Sequence, residues 1–450
     1  MNADVSHWIN RQAELSRLRV VRICMDQCEQ WSLHDGRLVH SSGGFFSIYG
    51  ALVSSSLAHL DGLVMPLIDQ PEVGILGFLV RQTADGWQWL LQAKSEPGSV
   101  GGTQVGPTVQ ATRSNWLCRH GGKATAFLDY FLSPSPESVI VDVLHSEQGD
   151  RFIGKYNRNL VVQIDSSFRM AEDSRWTWCS AEKLRSALKE DFLINTDSRS
   201  VLWSSDLRLL MSPGFVLPFE RTRAADAFAD SLYRSLHSDP EHLESSTQLS
   251  QAMVLLEASR SRNRISLAPF SLVDLPGWAA DGSGIVPSDD GSSYGLSFVS
   301  VQAADREVGD WCQPLIESKG TQKIVLFCAA RGQVMYFALA LSAEPGFREV
   351  VQYGPSYVSG PGHPVHPFWA SLLTDSATKT HAVTFQSDEG GRFLNSVAEY
   401  KIVEIPDSLM DDPAIDCLWV TLSTLRRMSV MEGVVNNELR SVLSMLLAWV

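Results

Sequence analysis

Residues 87–98 read WQWLLQAKSEPG, and residues 335–346 read MYFALALSAEPG. Each is a short apolar run, rich in aromatic and aliphatic side chains, that ends in the same Glu-Pro-Gly turn. Each is preceded by a second such run, GILGFLVRQ at 74–82 or KIVLFCAA at 323–330. Ala84-Asp85-Gly86 joins the first pair and Arg331-Gly332 the second, which is the pattern of a β-hairpin. Further matches lie outward from these turns. Pro66-Leu67-Ile68 recurs as Pro314-Leu315-Ile316, and Gln104 with Gly106-Pro107 as Gln352 with Gly354-Pro355, all at an offset of 248. Later, Arg151-Phe152 recurs as Arg392-Phe393, Trp178 as Trp419, Asn195 as Asn436 and Arg199-Ser200-Val201-Leu202 as Arg440-Ser441-Val442-Leu443, all at 241. Two collinear blocks at fixed offsets are the mark of a tandem duplication, with units far longer than a solenoid repeat.

Each copy reads as an entry helix (near 5–17 and 247–261), strand runs, a helix capped by Ser180 or Thr421, and a closing helix near 196–204 or 436–448. Strands followed by helices, without regular βαβ alternation, predict an α+β fold. The expected organisation is an N-terminal copy at 1–204, a helical connector at 205–246 and a C-terminal copy at 247–450.

Composition narrows the class. The chain has 450 residues, 44% hydrophobic and 20% charged, enough for two domain-sized cores. No apolar run approaches the ~18 residues of a membrane span, and the charged N-terminus lacks signal-peptide character, so a cytoplasmic protein is expected. Seven scattered cysteines argue against a disulfide framework. Cys24 and Cys28 are spaced like half a zinc site, but no second pair follows. A net charge of −14 repels polyphosphate, so nucleic acid is not an expected partner.

The richest polar stretch is residues 90–122. Lys94 and Glu96 leave one strand face, Pro97-Gly98 turns the chain, and Gln104, Thr108, Gln110, Thr112, Arg113, Ser114 and Asn115 follow. Neutral donors around a Lys and an Arg suit a ligand with a diphosphate and hydroxyls. The repeat supplies an internal control. Lys94 becomes Ser342, Thr108-Val109 becomes Ser356-Tyr357, Arg113 falls on Pro361, and Asn157-Arg158-Asn159 becomes Ala398-Glu399-Tyr400, while Glu96 persists as Glu344 and Arg151 as Arg392. The first copy is therefore expected to keep a site that the second has lost. Phe45 is a candidate for stacking on a nucleobase, and His120 is a reserve acid or base. No phosphate-binding loop, dinucleotide fingerprint, His-Glu-x-x-His or serine elbow is present.

At GGFFSIYG, QPEVGILGF, LLQAKSEPG, GPTVQATRSN, HGGK and NRNLVVQI the chain resembles the sugar-nucleotide 2,3-dehydratases of deoxysugar biosynthesis, such as those that make antibiotic sugars. The resemblance covers essentially the whole chain. It implies a pair of Nudix-like modules, a homodimer, a thymidine-diphosphate-linked 4-keto-6-deoxy sugar as substrate, and one pocket that is a remnant. The Nudix metal box is missing, so the expectation is a dehydratase with no metal and no redox cofactor. On this reading Glu96 is the base and Lys94 faces the enolate oxygen. Arg113 and Arg151 hold the diphosphate, and Gln104, Thr108, Gln110, Ser114, Asn115, Asn157, Arg158 and Asn159 hold sugar and phosphates. The alternatives are a nucleotide-sugar diphosphate hydrolase and a non-catalytic nucleotide-sugar-binding protein.

Overall fold

A computed structural model describes residues 4–116, 124–165, 168–170, 175–211, 226–237, 243–281, 284–288, 294–303, 309–360, 363 and 365–450. Its architecture is mixed α+β, with four sheets flanked by helices. The predicted hairpin forms from strands Gly74–Thr83 and Gly86–Ser95. Gly74–Thr83 is apolar without alternation because it lies in the middle of a sheet covered on both faces: Ile75 through Val80 are buried. That sheet runs Val139–Ser146, Tyr156–Gln163, Gly74–Thr83, Gly86–Ser95, Trp176–Ser180, with Thr103–Gly106 and Val109–Ala111 added to the hairpin strands. Among the described residues of this sheet only Tyr156–Gln163 on Gly74–Thr83 is a parallel strand pair.

A second seven-stranded sheet repeats this order: Lys379–Ser387, Val397–Glu404, Thr321–Arg331, Val334–Ala343, Leu418–Thr421, with Val351–Pro355 and Tyr357–Ser359 in the two added places. Its parallel pair among the described residues, Val397–Glu404 on Thr321–Arg331, is at the corresponding position. The helices follow the predicted caps. Ser180 accepts from Lys183 N ahead of Ala181–Ala187, and Thr421 accepts from Thr424 N ahead of Leu422–Met428.

The two smaller sheets exchange strands between the halves of the chain. Arg19–Ile23, from the first half, lies antiparallel to Tyr294–Gln302 in the second. Reciprocally, Ile265–Phe270 lies antiparallel to Ser47–Ser55. The segment 205–246, read as a connector, contributes a packed helix, Ala227–His237. In it Phe228 stacks on His381 at 3.7 Å and Ser235 accepts a hydrogen bond from Leu422 N. One continuous apolar core consequently runs from Val5 to Val450 through both large sheets.

The helices Thr196–Ser204 and Asn437–Ser444 meet at the centre, capped by Asn195 and Asn436. Each carries a fully buried arginine that reaches across. Arg199 donates to Ile194 O, Leu188 O and Ser444 Oγ at 3.2–3.3 Å. Arg440 donates to Val435 O, Ser146 O and Ser200 Oγ at 2.6–2.9 Å. Removing either guanidinium strands several buried acceptors, each worth about 1–3 kcal/mol. Arg440→Ala is therefore expected to lower unfolding stability by about 3–5 kcal/mol in urea denaturation. A loss under about 1 kcal/mol would mean that water replaces those bonds.

Candidate active site

The Glu-Pro-Gly turns carry the halves into each other. Gly98 N donates to Gly390 O at 2.8 Å and Gly98 O accepts from Asn395 N at 3.2 Å. In mirror fashion Gly346 N donates to Gly149 O at 2.6 Å, and Gly346 O accepts from Gly154 N at 2.7 Å. Glycine is required at both turns because a Cβ on Gly98 would stand 1.7 Å from Phe393 O, and one on Gly346 1.8 Å from Phe152 O. The segment 389–395 of the second half thereby becomes a wall of the site built around Lys94.

The site is a cavity of about 290 Å³. One end is aromatic. Trp31, His40, Phe45, Phe46 and Trp311 line it, with the Trp31 and Phe46 rings 4.7 Å apart and His40 edge-on to Phe45 at 4.5 Å. Arg392 follows, its guanidinium 4.3 Å above the Phe46 ring and its Nε donating to Gln70 Oε1 at 3.1 Å. Burial pushes the His40 pKa down, which favours a neutral ring.

The other end is charged. Lys94 Nζ lies 3.6 Å from Glu96 Oε1 and donates to Gln110 O at 3.1 Å, both side chains being largely buried. Gln110 Nε2 donates to Glu96 Oε1 at 3.3 Å, and Asn195 Nδ2 holds the Gln110 amide oxygen at 3.1 Å. Lys155 donates to Glu72 O; burial lowers its pKa to about 8, although Glu389 and Glu147 pull the other way. Asn157 accepts from Gly74 N at 3.1 Å and donates to Glu147 Oε1 at 2.8 Å. Burial raises Glu147 to about 7 against the pull of Arg440. Asp197, in the first turn of its helix, is raised well above the carboxylate range by burial and then by Glu389, Glu147 and Glu96. Ammonium groups, carboxylates and amides within one buried space are the parts that general acid–base chemistry needs. Among the described residues no cluster of His, Cys, Asp and Glu is arranged to hold a metal.

The family model for NDP-hexose 2,3-dehydratase matches residues 2–204 and 250–446. The chain belongs to the NDP-hexose 2,3-dehydratase family. Three relatives named dTDP-4-dehydro-6-deoxy-alpha-D-glucopyranose 2,3-dehydratase align along nearly their whole length. The protein from Saccharopolyspora spinosa is 30% identical over 98% of this chain and 90% of its own. That from Amycolatopsis orientalis is 31% identical over 98% and 89%, and that from Streptomyces violaceoruber 29% over 97% and 95%. A solved ADP compounds hydrolase, 17% identical, aligns with 25% of this chain and 60% of its own at a TM-score of 0.16, too low to carry an argument.

In this dehydratase Lys94, Glu96, Thr108, Gln110, Asn157 and Phe45 line the cavity. Thr108 is occupied by the fold: its hydroxyl donates to Leu90 O and accepts from Leu79 N. Several expected ligand-binding residues stand elsewhere. Arg113 is exposed at the start of the short helix Arg113–Trp116, outside the cavity wall. Ser114 caps onto Glu72 through its N and Oγ at 3.0 and 3.1 Å. Gln104 ties the halves together through Phe192 O and Ser387 Oγ. Arg158 points to the outer face, where Asp142 pairs with it, because neighbours on a strand alternate. Asn159 shares the face of Asn157 but is fully buried, bonded to Asn157 O. His120 and the side chain of Asn115 lie outside the described residues.

Arg151 needs the clearest correction. It pairs with Asp150 at 2.6 Å and lies 4.0 Å over Tyr294, the counterpart of Phe46 at offset 248. It therefore serves the mirror location, and its own counterpart Arg392 serves the cavity, because the two segments are exchanged. Lys155, Asp197, Glu389 and Arg392 were missed. Lys155 was detectable, since it becomes Ser396 just as Lys94 becomes Ser342. Glu389 and Arg392 were not, because nothing in a linear comparison says that the second half builds the first site.

Proposed function

We propose that this enzyme takes a dTDP-linked 4-keto-6-deoxyhexose, removes the carbon 2 hydroxyl by proton abstraction at carbon 3, and gives a 3,4-diketo-2,6-dideoxy sugar nucleotide. The observation that carries the reading is a buried Lys94 ammonium, held beside carboxylates at one end of a cavity whose other end is aromatic and capped by Arg392. The aromatic end suits a thymine ring, Arg392 the diphosphate, and the charged end the sugar. The activity for which the three relatives are named supports the same substrate class.

The chemistry follows from those groups. The carbon 4 ketone acidifies the carbon 3 proton. A carboxylate beside Lys94 (Glu96 on the sequence reading) takes that proton, and the C–H electron pair forms the carbon 3–carbon 4 double bond while the carbonyl pair moves to oxygen 4. Lys94 stabilises this enolate oxygen. Collapse of the enolate forms the carbon 2–carbon 3 double bond and breaks the carbon 2–oxygen bond, and the leaving hydroxide is protonated to water. The carbon 3 enol then tautomerises, losing its hydroxyl proton and gaining one at carbon 2. Oxidation at carbon 3 balances reduction at carbon 2, so no external reductant enters.

The same reading takes residues 1–204 and 247–450 as two copies of a Nudix-like unit, joined by 205–246, with the second pocket degenerate. Fixed sequence offsets and the matching strand orders of the large sheets support it. A homodimer in the cytoplasm, serving antibiotic deoxysugar synthesis, is supported by the resemblance alone. One proton NMR time course in heavy water separates the functions. The dehydratase should incorporate deuterium and release water with excess chelator present, at an unchanged rate. Cleavage of the diphosphate that stops on chelation would replace it with the hydrolase, and binding without exchange or turnover would leave a binding protein.

A further inference from the structure

The three carboxylates among the described residues that line the charged end are not equivalent when the halves are compared crosswise, as the exchange of segments requires. Glu96 has Glu344 at its corresponding position, and Asp197 has Glu438. Glu389 corresponds to Gln148, which lies on the Glu344 side: Gly149 N donates to Glu344 Oε2 at 2.7 Å, and a Cβ on Gly390 would meet Glu96 Cβ at 2.9 Å. The change from Glu389 to Gln148 accompanies Lys94 to Ser342 and Lys155 to Ser396. Of the lining carboxylates among the described residues, Glu389 alone has a counterpart that cannot ionise.

Its placement suits proton transfer. Glu389 O accepts from Arg392 N and Phe393 N, both at 3.0 Å, which fixes the residue in a turn clamped by Gly98. The side chain turns into the space over Gly391: an ideal Cβ there would lie 3.3 Å from Glu389 Oε1 and 3.5 Å from Glu96 Oε1. The two carboxylates thus flank one small volume left open by a glycine. Glu96 already faces Lys94 and Gln110, whereas the Glu389 carboxylate has no hydrogen-bond partner among the described residues. Burial raises its pKa, with Arg392, Lys155 and Lys94 opposing and Glu96 adding to the rise.

We propose that Glu389, delivered by the second half of the chain, is the acid–base residue of the elimination, and that Glu96 instead holds Lys94 in place. Glu389 takes the carbon 3 proton as the C–H pair enters the enolate, and gives it to the hydroxyl leaving carbon 2, so the carboxylate is regenerated and one water departs. This rests on the dehydratase reading above.

Glu389→Gln places at this position the residue found at its counterpart, so the variant is expected to fold and to bind dTDP within a few-fold of wild type. Its kcat on the 4-keto sugar nucleotide should fall about 10²–10⁴-fold with little change in KM, and carbon 3 deuterium exchange should vanish. Glu96→Gln should keep measurable exchange. Wild-type kcat and exchange in Glu389→Gln, or exchange lost in Glu96→Gln and kept in Glu389→Gln, would overturn the assignment while leaving the dehydratase intact. A wild-type protein inert towards every such substrate would overturn the reaction and the assignment together.

Discussion

Replacing Lys94 with alanine is expected to lower kcat by about 10²–10³-fold, the loss typical of removing one preorganised donor from a developing oxyanion. Lys94 is 12% exposed and its ammonium is fixed by Gln110 O and Glu96, so it needs no reorientation as charge moves onto oxygen 4. An interaction made only with the enolate lowers kcat and kcat/KM together and leaves KM nearly unchanged. A purely structural lysine predicts something else. Its removal would leave Gln110 O and Glu96 short of a partner, costing about 1–3 kcal/mol of stability, while the folded fraction would work normally. Thermal melts and single-turnover rates on the same preparation separate the two. Ser342→Ala, at the corresponding position, removes only a 3.3 Å contact to Glu344 and should change neither rate nor fold. Full turnover by folded Lys94→Ala would end the enolate role.

Much of the fold was legible because its signals are local. A ten-residue apolar strand, a Glu-Pro-Gly turn, and Ser and Thr at helix N-caps are written in neighbouring residues. The exchanged strands, Arg19–Ile23 and Ile265–Phe270, were not. Their partners are chosen by long-range geometry that no window of sequence contains. The site divides along the same line. Lys94, Gln110 and Asn157 come from strands of the first large sheet and line the cavity, and comparison of the halves singled out Lys94 and Asn157. Arg113 and Arg158 were marked by the same comparison yet face outward, since a charge can also be lost at a surface position without consequence. Arg151 and Arg392 were swapped because the offset pairs like with like, whereas the cavity pairs each half with the other's turn.

That crosswise assembly makes the two glycines of the exchanged turns a matched test. Gly98→Ala should destabilise the protein and also inactivate what remains folded. The new methyl would meet Phe393 O at 1.7 Å, Phe393 C at 2.6 Å and Gly390 O at 3.0 Å, all backbone atoms that cannot rotate aside. Restoring an ordinary contact needs a shift of about 1.5 Å. Phe393 resists it, being fully buried against Phe152, so overpacking should cost about 2–3 kcal/mol. The shift also carries Glu389, Gly391 and Arg392 away from Lys94, and a displacement of that size is worth about 10²-fold in rate. Gly346→Ala meets Phe152 O at 1.8 Å and should cost similar stability. It moves the 149–154 turn of the mirror location, so the folded fraction should keep most of its kcat. Urea midpoints give the first quantity and kcat per folded molecule the second. An unchanged kcat per folded molecule in both variants would mean that both turns act only through stability; loss confined to Gly98→Ala would mean that the working site spans both halves of the chain.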